Sequence, residues 1–171
     1  MQTLLLGRFE NKLDQKNRIF VPAKFREIIG NDFVMSFDDE KNCIKCMTTE
    51  NFIHLYNACN NSEDDIYLEK GLRAQRLIRN SNTATIDNQG RTTIPQQWLE
   101  SMSASGTALI IGMVNYFEIW GAEDYDKDNS ELNKSIKLAD KAKRSAKTAK
   151  AMQDLAQAQA IIKENEKLIE D

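Results

Sequence analysis

Two short segments set a carboxylate and a guanidinium at the same spacing: Asp14-Gln15-Lys16-Asn17-Arg18 and Asp87-Asn88-Gln89-Gly90-Arg91. An aspartate at the head of a tight turn accepts hydrogen bonds from backbone amides two residues on, which shapes the loop. The fourth position is Gly90 in one copy and Asn17 in the other, the two residue types that best tolerate a positive φ. The closing arginine has a planar fork that can grip a phosphate, or the O6/N7 edge of guanine, with two hydrogen bonds. Lys16 is a mobile point charge suited to phosphate. Gln15, Asn17, Asn88 and Gln89 offer amide groups to base edges or to backbone. A single Asp–Arg pair of this kind reads as a hairpin brace, because exposed ion pairs contribute little. Duplication is what favours a shared binding role.

The elements that must hold these loops repeat as well. Leu13 to Pro22 returns as Ile86 to Pro95, and Asp14/Asp87, Arg18/Arg91 and Pro22/Pro95 all keep one constant offset in the numbering. Ile19 and Val21, then Thr92 and Ile94, alternate as in a strand. Each proline suits the first turn of a helix. Those helices carry Phe25, Ile28 and Ile29, then Trp98, Leu99 and Met102, on a core-facing side. Phe33–Phe37 and Cys43–Met47 read as a hairpin around a polar turn, and Ala108–Ile111 with Tyr116–Trp120 read as its counterpart. Ile44 and Phe117 keep the same offset, so the repeat spans most of each half. The pattern predicts strand, loop, strand, helix and hairpin, twice over.

With 171 residues and 41% hydrophobic content, the chain can bury a core. Net charge of −3 and a pI of about 5.3 confine any anion-binding surface to a local patch. Three cysteines and no leader pattern read as a reducing cytoplasm, and no stretch approaches the ~20 apolar residues of a membrane helix. Cys43 and Cys46 form a CxxC inside a strand, where they point to opposite faces and suit structure better than zinc or redox chemistry. His54 reads as a helix-surface or core residue. No catalytic constellation, metal-ligand set or cofactor motif emerges, so neither an enzyme nor a small-molecule substrate is expected.

Four segments are expected: a first unit at 1–60, a linker helix at 61–80, a second unit at 81–125, and a helical Lys/Ala-rich tail at 126–171. Within the tail, Asp128-Asn129-Ser130 reads as a linker ahead of one or two surface helices. Arg73, Arg76 and Arg79 read as a salt-bridging or solvated face. Lys134, Lys137, Lys141, Lys143, Arg144, Lys147 and Lys150, with Asp140 the one acid among them, read by default as a solvated face, a nonspecific DNA grip being the alternative.

The doubled loops, Pro22-Ala23-Lys24-Phe25-Arg26-Glu27 and Phe117-Glu118-Ile119-Trp120 together resemble the MraZ family of bacterial transcriptional regulators. The resemblance covers residues 4 to about 125. It implies a mixed α+β, β-rich fold in which two tandem AbrB-like swapped-hairpin half-units form one pseudo-two-fold barrel. It also implies a homo-oligomeric closed ring in the cytoplasm, associated with the nucleoid. The implied function is repression of the division and cell-wall gene cluster through direct repeats in promoter DNA. Lys16, Arg18 and Arg91 would be the DNA contacts, with Asp14, Asp87 and Gly90 shaping the loops. Two residues depart from the family pattern: Asn17 replaces the usual Gly and can keep the loop's left-handed turn, and Gln89 stands where a Lys would add charge, which puts more weight on the first loop. The rival reading is an AbrB-like antitoxin whose tail binds a toxin.

Overall fold

The computed structural model describes residues 4–60 and 67–170, with side chains described for 4–59, 71–155 and 157. The first half runs β1 (Arg8–Lys12), β2 (Arg18–Phe20), α1 (Ala23–Ile29), β3 (Asp32–Asp38) and β4 (Cys43–Met47). The second runs β5 (Ser81–Thr85), β6 (Arg91–Thr93), α4 (Gln96–Ser101), β7 (Thr107–Gly112) and β8 (Phe117–Trp120). Between them lie α2 (Thr49–Asn60) and α3 (Tyr67–Arg79), and α5 (Ala122–Glu170) follows. The polar stretch at 61–66 lies outside the described residues.

The two halves share one sheet. Its order is β1-β7-β8-β4-β3-β5, with every neighbouring pair antiparallel, and β2 pairs with β6 in a separate two-stranded ribbon. The first strand of each half therefore pairs with the hairpin of the other half. At the centre, Lys45 faces Glu118 and Ile19 faces Thr92, so positions related by the repeat meet each other in both sheets. The fold is mixed α+β around a mostly antiparallel sheet. Among the described residues the strands do not close into one barrel, because β1 and β5 are edge strands of the sheet and the ribbon stands apart.

One strand breaks the constant offset. Val34 pairs with Met47 and Thr83, while Leu109 pairs with Trp120 and Glu10. The partners correspond through the repeat, yet the residue that the repeat matches to Val34 is Thr107, two positions before Leu109. The connection leading into β7 is longer by two positions and its hairpin turn is shorter by two. An even slip leaves every side chain on its original face, whereas an odd one would turn the core face outward.

The core is built from both halves. Phe25 packs against Phe117 with ring centroids 5.5 Å apart, and Phe33 meets Phe117 at 6.4 Å. Ile19, Ile44, Ile94, Ile110 and Ile119 are buried around them. Cys46 faces this core, while Cys43 faces a smaller cluster with Leu109 and Trp120 on the other side of the sheet. Burial pushes both thiols up, which keeps them protonated and unreactive. The Thr48 hydroxyl accepts from the Asn51 amide at the start of α2, where it serves as the cap. His54 lies on the exposed face of α2 within 3.8 Å of Glu50.

The chain divides into two compact units, Met1–Lys127 and Asp128–Asp171. The linker expected at Asp128-Asn129-Ser130 is instead helical, within α5. Asp, Asn and Ser cost a helix only tenths of a kcal/mol each, and no Gly or Pro follows Gly121 to break it.

Candidate nucleic-acid interface

The ribbon of β2 and β6 brings the two Asp–Arg loops side by side. In the first, the Asp14 carboxylate accepts from the backbone amides of Lys16 and Arg18 at 2.9 and 3.0 Å through one oxygen. Its other oxygen accepts from Arg18 Nε at 2.8 Å and lies 2.7 Å from Arg18 Nη2. The second loop repeats the plan. Asp87 accepts from the amides of Gln89 and Arg91, both at 2.9 Å, and from Arg91 Nε and Nη2 at 3.1 and 2.9 Å.

Asn17 and Gly90 adopt φ of 58° and 80°, so the two loops turn alike. Gly90 also spares Arg26 a displacement. A Cβ at position 90 would sit 2.8 Å from the guanidinium carbon of Arg26. Arg26 donates to the Val21 carbonyl and lies over the Phe20 ring. Its position in α1 is matched by Leu99 in α4, so no cation from α4 covers Asn17. The Asn17 side chain instead donates to Gln96 at 2.6 Å, tying the first loop to the second half. Arg26 as a support of the second loop was not evident from the sequence, and the departure of Gly90 from Asn17 was its only trace.

The loops also meet each other. Arg18 Nη1 is 3.6 Å from Asp87, and Arg91 Nη1 is 3.6 Å from Asp14. Each carboxylate lies between two guanidiniums, and the four groups sum to no net charge. The Arg18 bonds are the main cause that pulls the Asp14 carboxyl down to about 2, and the Arg91 amide chiefly pulls Asp87 down. The arginine side chains remain about a quarter exposed. At the loop tips Gln15, Lys16, Asn88 and Gln89 are all exposed. All seven residues expected to contact DNA therefore lie in two adjacent turns, with the arginines braced and the tips open.

Arg76 lies elsewhere. It pairs with Asp39 and Glu40 in the β3–β4 turn, clamping α3 onto that hairpin. Among the described residues, no group of three His, Cys, Asp or Glu side chains is placed to hold a metal ion. No helix among them is long and apolar enough to cross a membrane.

The family model described as "MraZ protein, putative antitoxin-like" matches residues 77–149. That span runs past residue 125 into α5, farther than the sequence resemblance reached. Across 132 residues the chain is 32% identical to the transcriptional regulator MraZ of Lactiplantibacillus plantarum, covering 75% of this chain and 89% of that protein. It is 31% identical over 147 residues to the transcriptional regulator MraZ of Mycoplasmopsis pulmonis, covering 82% and 96%. With the Natranaerobius thermophilus protein of the same name it shares 28% over 139 residues, covering 78% and 92%.

Proposed function

This chain belongs to the MraZ family, and from that premise we propose that it is a transcriptional regulator that binds duplex DNA through the paired Asp–Arg loops. The observation that carries the reading is the convergence of both loops on one ribbon. It gathers two arginines and the polar loop tips where a single duplex can meet them. Arg18 and Arg91 supply the directional contacts, and Lys16 supplies charge. Gln15, Asn17, Asn88 and Gln89 add hydrogen bonds to bases or backbone. Asp14 and Asp87 hold the arginines, while Gly90 leaves room for Arg26.

The AbrB-like swapped-hairpin architecture, the closed ring and the promoter direct repeats upstream of the division and cell-wall cluster belong to this proposal. The pairing of each half's first strand with the other half's hairpin supports the first of these. A ring gives a net-acidic chain the means to bind DNA, because equivalent loops on successive repeats multiply weak, salt-sensitive contacts.

The test is binding to the upstream DNA of its own gene cluster, for wild type beside Lys16→Ala and Arg18→Ala, with native mass spectrometry on all three proteins. The reading expects repeat-specific binding by the wild type and its loss in correctly assembled Arg18→Ala. Equal binding by wild type and both variants would overturn it. The antitoxin alternative rests on the family model's own description. A stoichiometric small protein co-purifying with the chain would favour that alternative.

A further inference from the structure

The seven cations between Lys134 and Lys150 acquire a geometry once α5 is a single helix. At 3.6 residues per turn, Lys134, Lys137, Lys141, Lys143, Arg144, Lys147 and Lys150 fall within an arc of roughly 200° around its axis. Asp140 is the one acid in that span, so it carries a strong net positive charge in a chain whose total is −3. The opposite side holds Leu138, Ala139, Ala142, Ser145, Ala146 and Ala149. Cations are thus segregated from small residues rather than dispersed.

Every side chain from 129 to 155 is exposed. Among the described residues, none of the seven cations is engaged in an ion pair. A solvated helix is ordinarily laced with opposite charges at i,i+3 and i,i+4, which relieve self-repulsion. Here like charges prevail at those spacings, at Lys134/Lys137, Lys137/Lys141, Lys143/Lys147 and Lys147/Lys150, with Asp140 the one acid of the span set against Lys137, Lys143 and Arg144. Such an arrangement costs helix stability unless an anionic surface meets it. A rod of closely spaced phosphates, with a charge every ~1.7 Å of duplex axis, is an anionic partner long enough to meet the whole face.

We propose that the basic face of α5, Lys134 to Lys150, is a second, sequence-independent DNA-binding surface that grips the phosphate backbone of a duplex. It rests on the DNA-binding reading of the loops and divides the work with them: the loops discriminate among sequences, and this face supplies affinity for any duplex. Its contribution is electrostatic, so it is large at low salt and fades as salt rises.

The experiment uses the full chain and fluorescence anisotropy on a random-sequence 30-base-pair duplex across a salt series. Wild type is compared with Lys134→Gln/Lys137→Gln/Lys141→Gln/Arg144→Gln, whose helicity and assembly are checked by circular dichroism and native mass spectrometry. Each lost phosphate contact lowers the slope of log K against log salt by about 0.9. The expected result is a slope shallower by about two or more and at least tenfold weaker binding at low salt. A Lys16→Ala protein should lose only about 0.9 of slope on this duplex, less than half the loss expected of the tail variant, which separates the face from the loops. An unchanged slope in the correctly folded tail variant would overturn the proposal. So would a wild type that ignores the duplex but binds phosphatidylserine vesicles, which would assign the face to a membrane surface.

Discussion

Asp14 and Asp87 occupy the edge of each arginine fork that would otherwise make a two-pronged grip on phosphate, leaving Nη1 of each arginine nearest the other loop. The cluster is neutral, so removing one arginine leaves it with a net negative charge and also removes a directional contact. Arg18→Gln is therefore expected to weaken binding on both duplexes and to lower discrimination between operator and random duplex. Lys16→Ala should lower the slope by about 0.9 and weaken binding on both duplexes alike. Anisotropy titrations across salt on the two DNAs check this. The carboxylates make a second prediction. A carboxyl whose folded pKa lies below its unfolded value stabilises the folded state above the unfolded pKa and loses that contribution as pH falls through the folded one. For Asp14 this window runs from the ordinary value of 3.8 down to about 2. Carbon-13 NMR titration should place Asp14 near 2 in the wild type and nearer 3.8 in Arg18→Gln, where its largest cause is gone. An unmoved midpoint would show that the brace does not hold the carboxylate.

Among the elements, the two halves differ where strand edges meet. The Asn11 side chain donates to the Phe20 carbonyl at 2.7 Å and bridges β1 to β2. Its counterpart in the second half is Ala84, which cannot reach the Thr93 carbonyl. A groove of about 350 Å³ opens there, lined by Asn82, Thr83, Ala84, Thr92 and Thr93 among others, and the buried Thr92 hydroxyl has no hydrogen-bond partner among the described residues. Ala84→Asn should restore the bridge. One net hydrogen bond is worth about 1 kcal/mol, which in a chain of this size raises Tm by roughly 2–4 °C. Calorimetry decides it, and a lowered Tm would mean that the groove cannot accept the amide. The even slip of β7 has the same origin in local detail, a shorter turn offset by a longer connection, and it leaves the buried face intact.

For the molecule as a whole, the pairing of β1 with β7 and β5 with β3 means that neither half owns a complete sheet. Met1–Lys127 should then unfold in one transition, with no stage in which one half stands alone. Phe117, fully buried between Phe25 and Phe33 of the other half, is the side chain to remove. Phe117→Ala should cost about 3–5 kcal/mol and shift the entire melting curve. Two resolved transitions would contradict the shared core.

Much of this was legible in residue order. Turn chemistry is local, so Asp14, Asn17, Asp87 and Gly90 declared both loops, and apolar runs on either side of polar turns declared the hairpins. Duplication announced that the halves correspond. Which strands pair across the halves is a matter of long-range contacts that no local pattern encodes. So are the meeting of the two loops within 3.6 Å and the placement of Arg26 over Gly90. The continuity of α5 through Asp128-Asn129-Ser130 was also beyond propensity, because three mildly unfavourable residues mark a helix break or a helix interior equally well. The loop chemistry and the buried faces follow from neighbours close along the chain and the repeat from comparing its two halves, so residue order is enough to specify them. The union of the two loops into one charge-balanced cluster does not, because it depends on the antiparallel pairing of β2 with β6, strands from opposite halves of the chain.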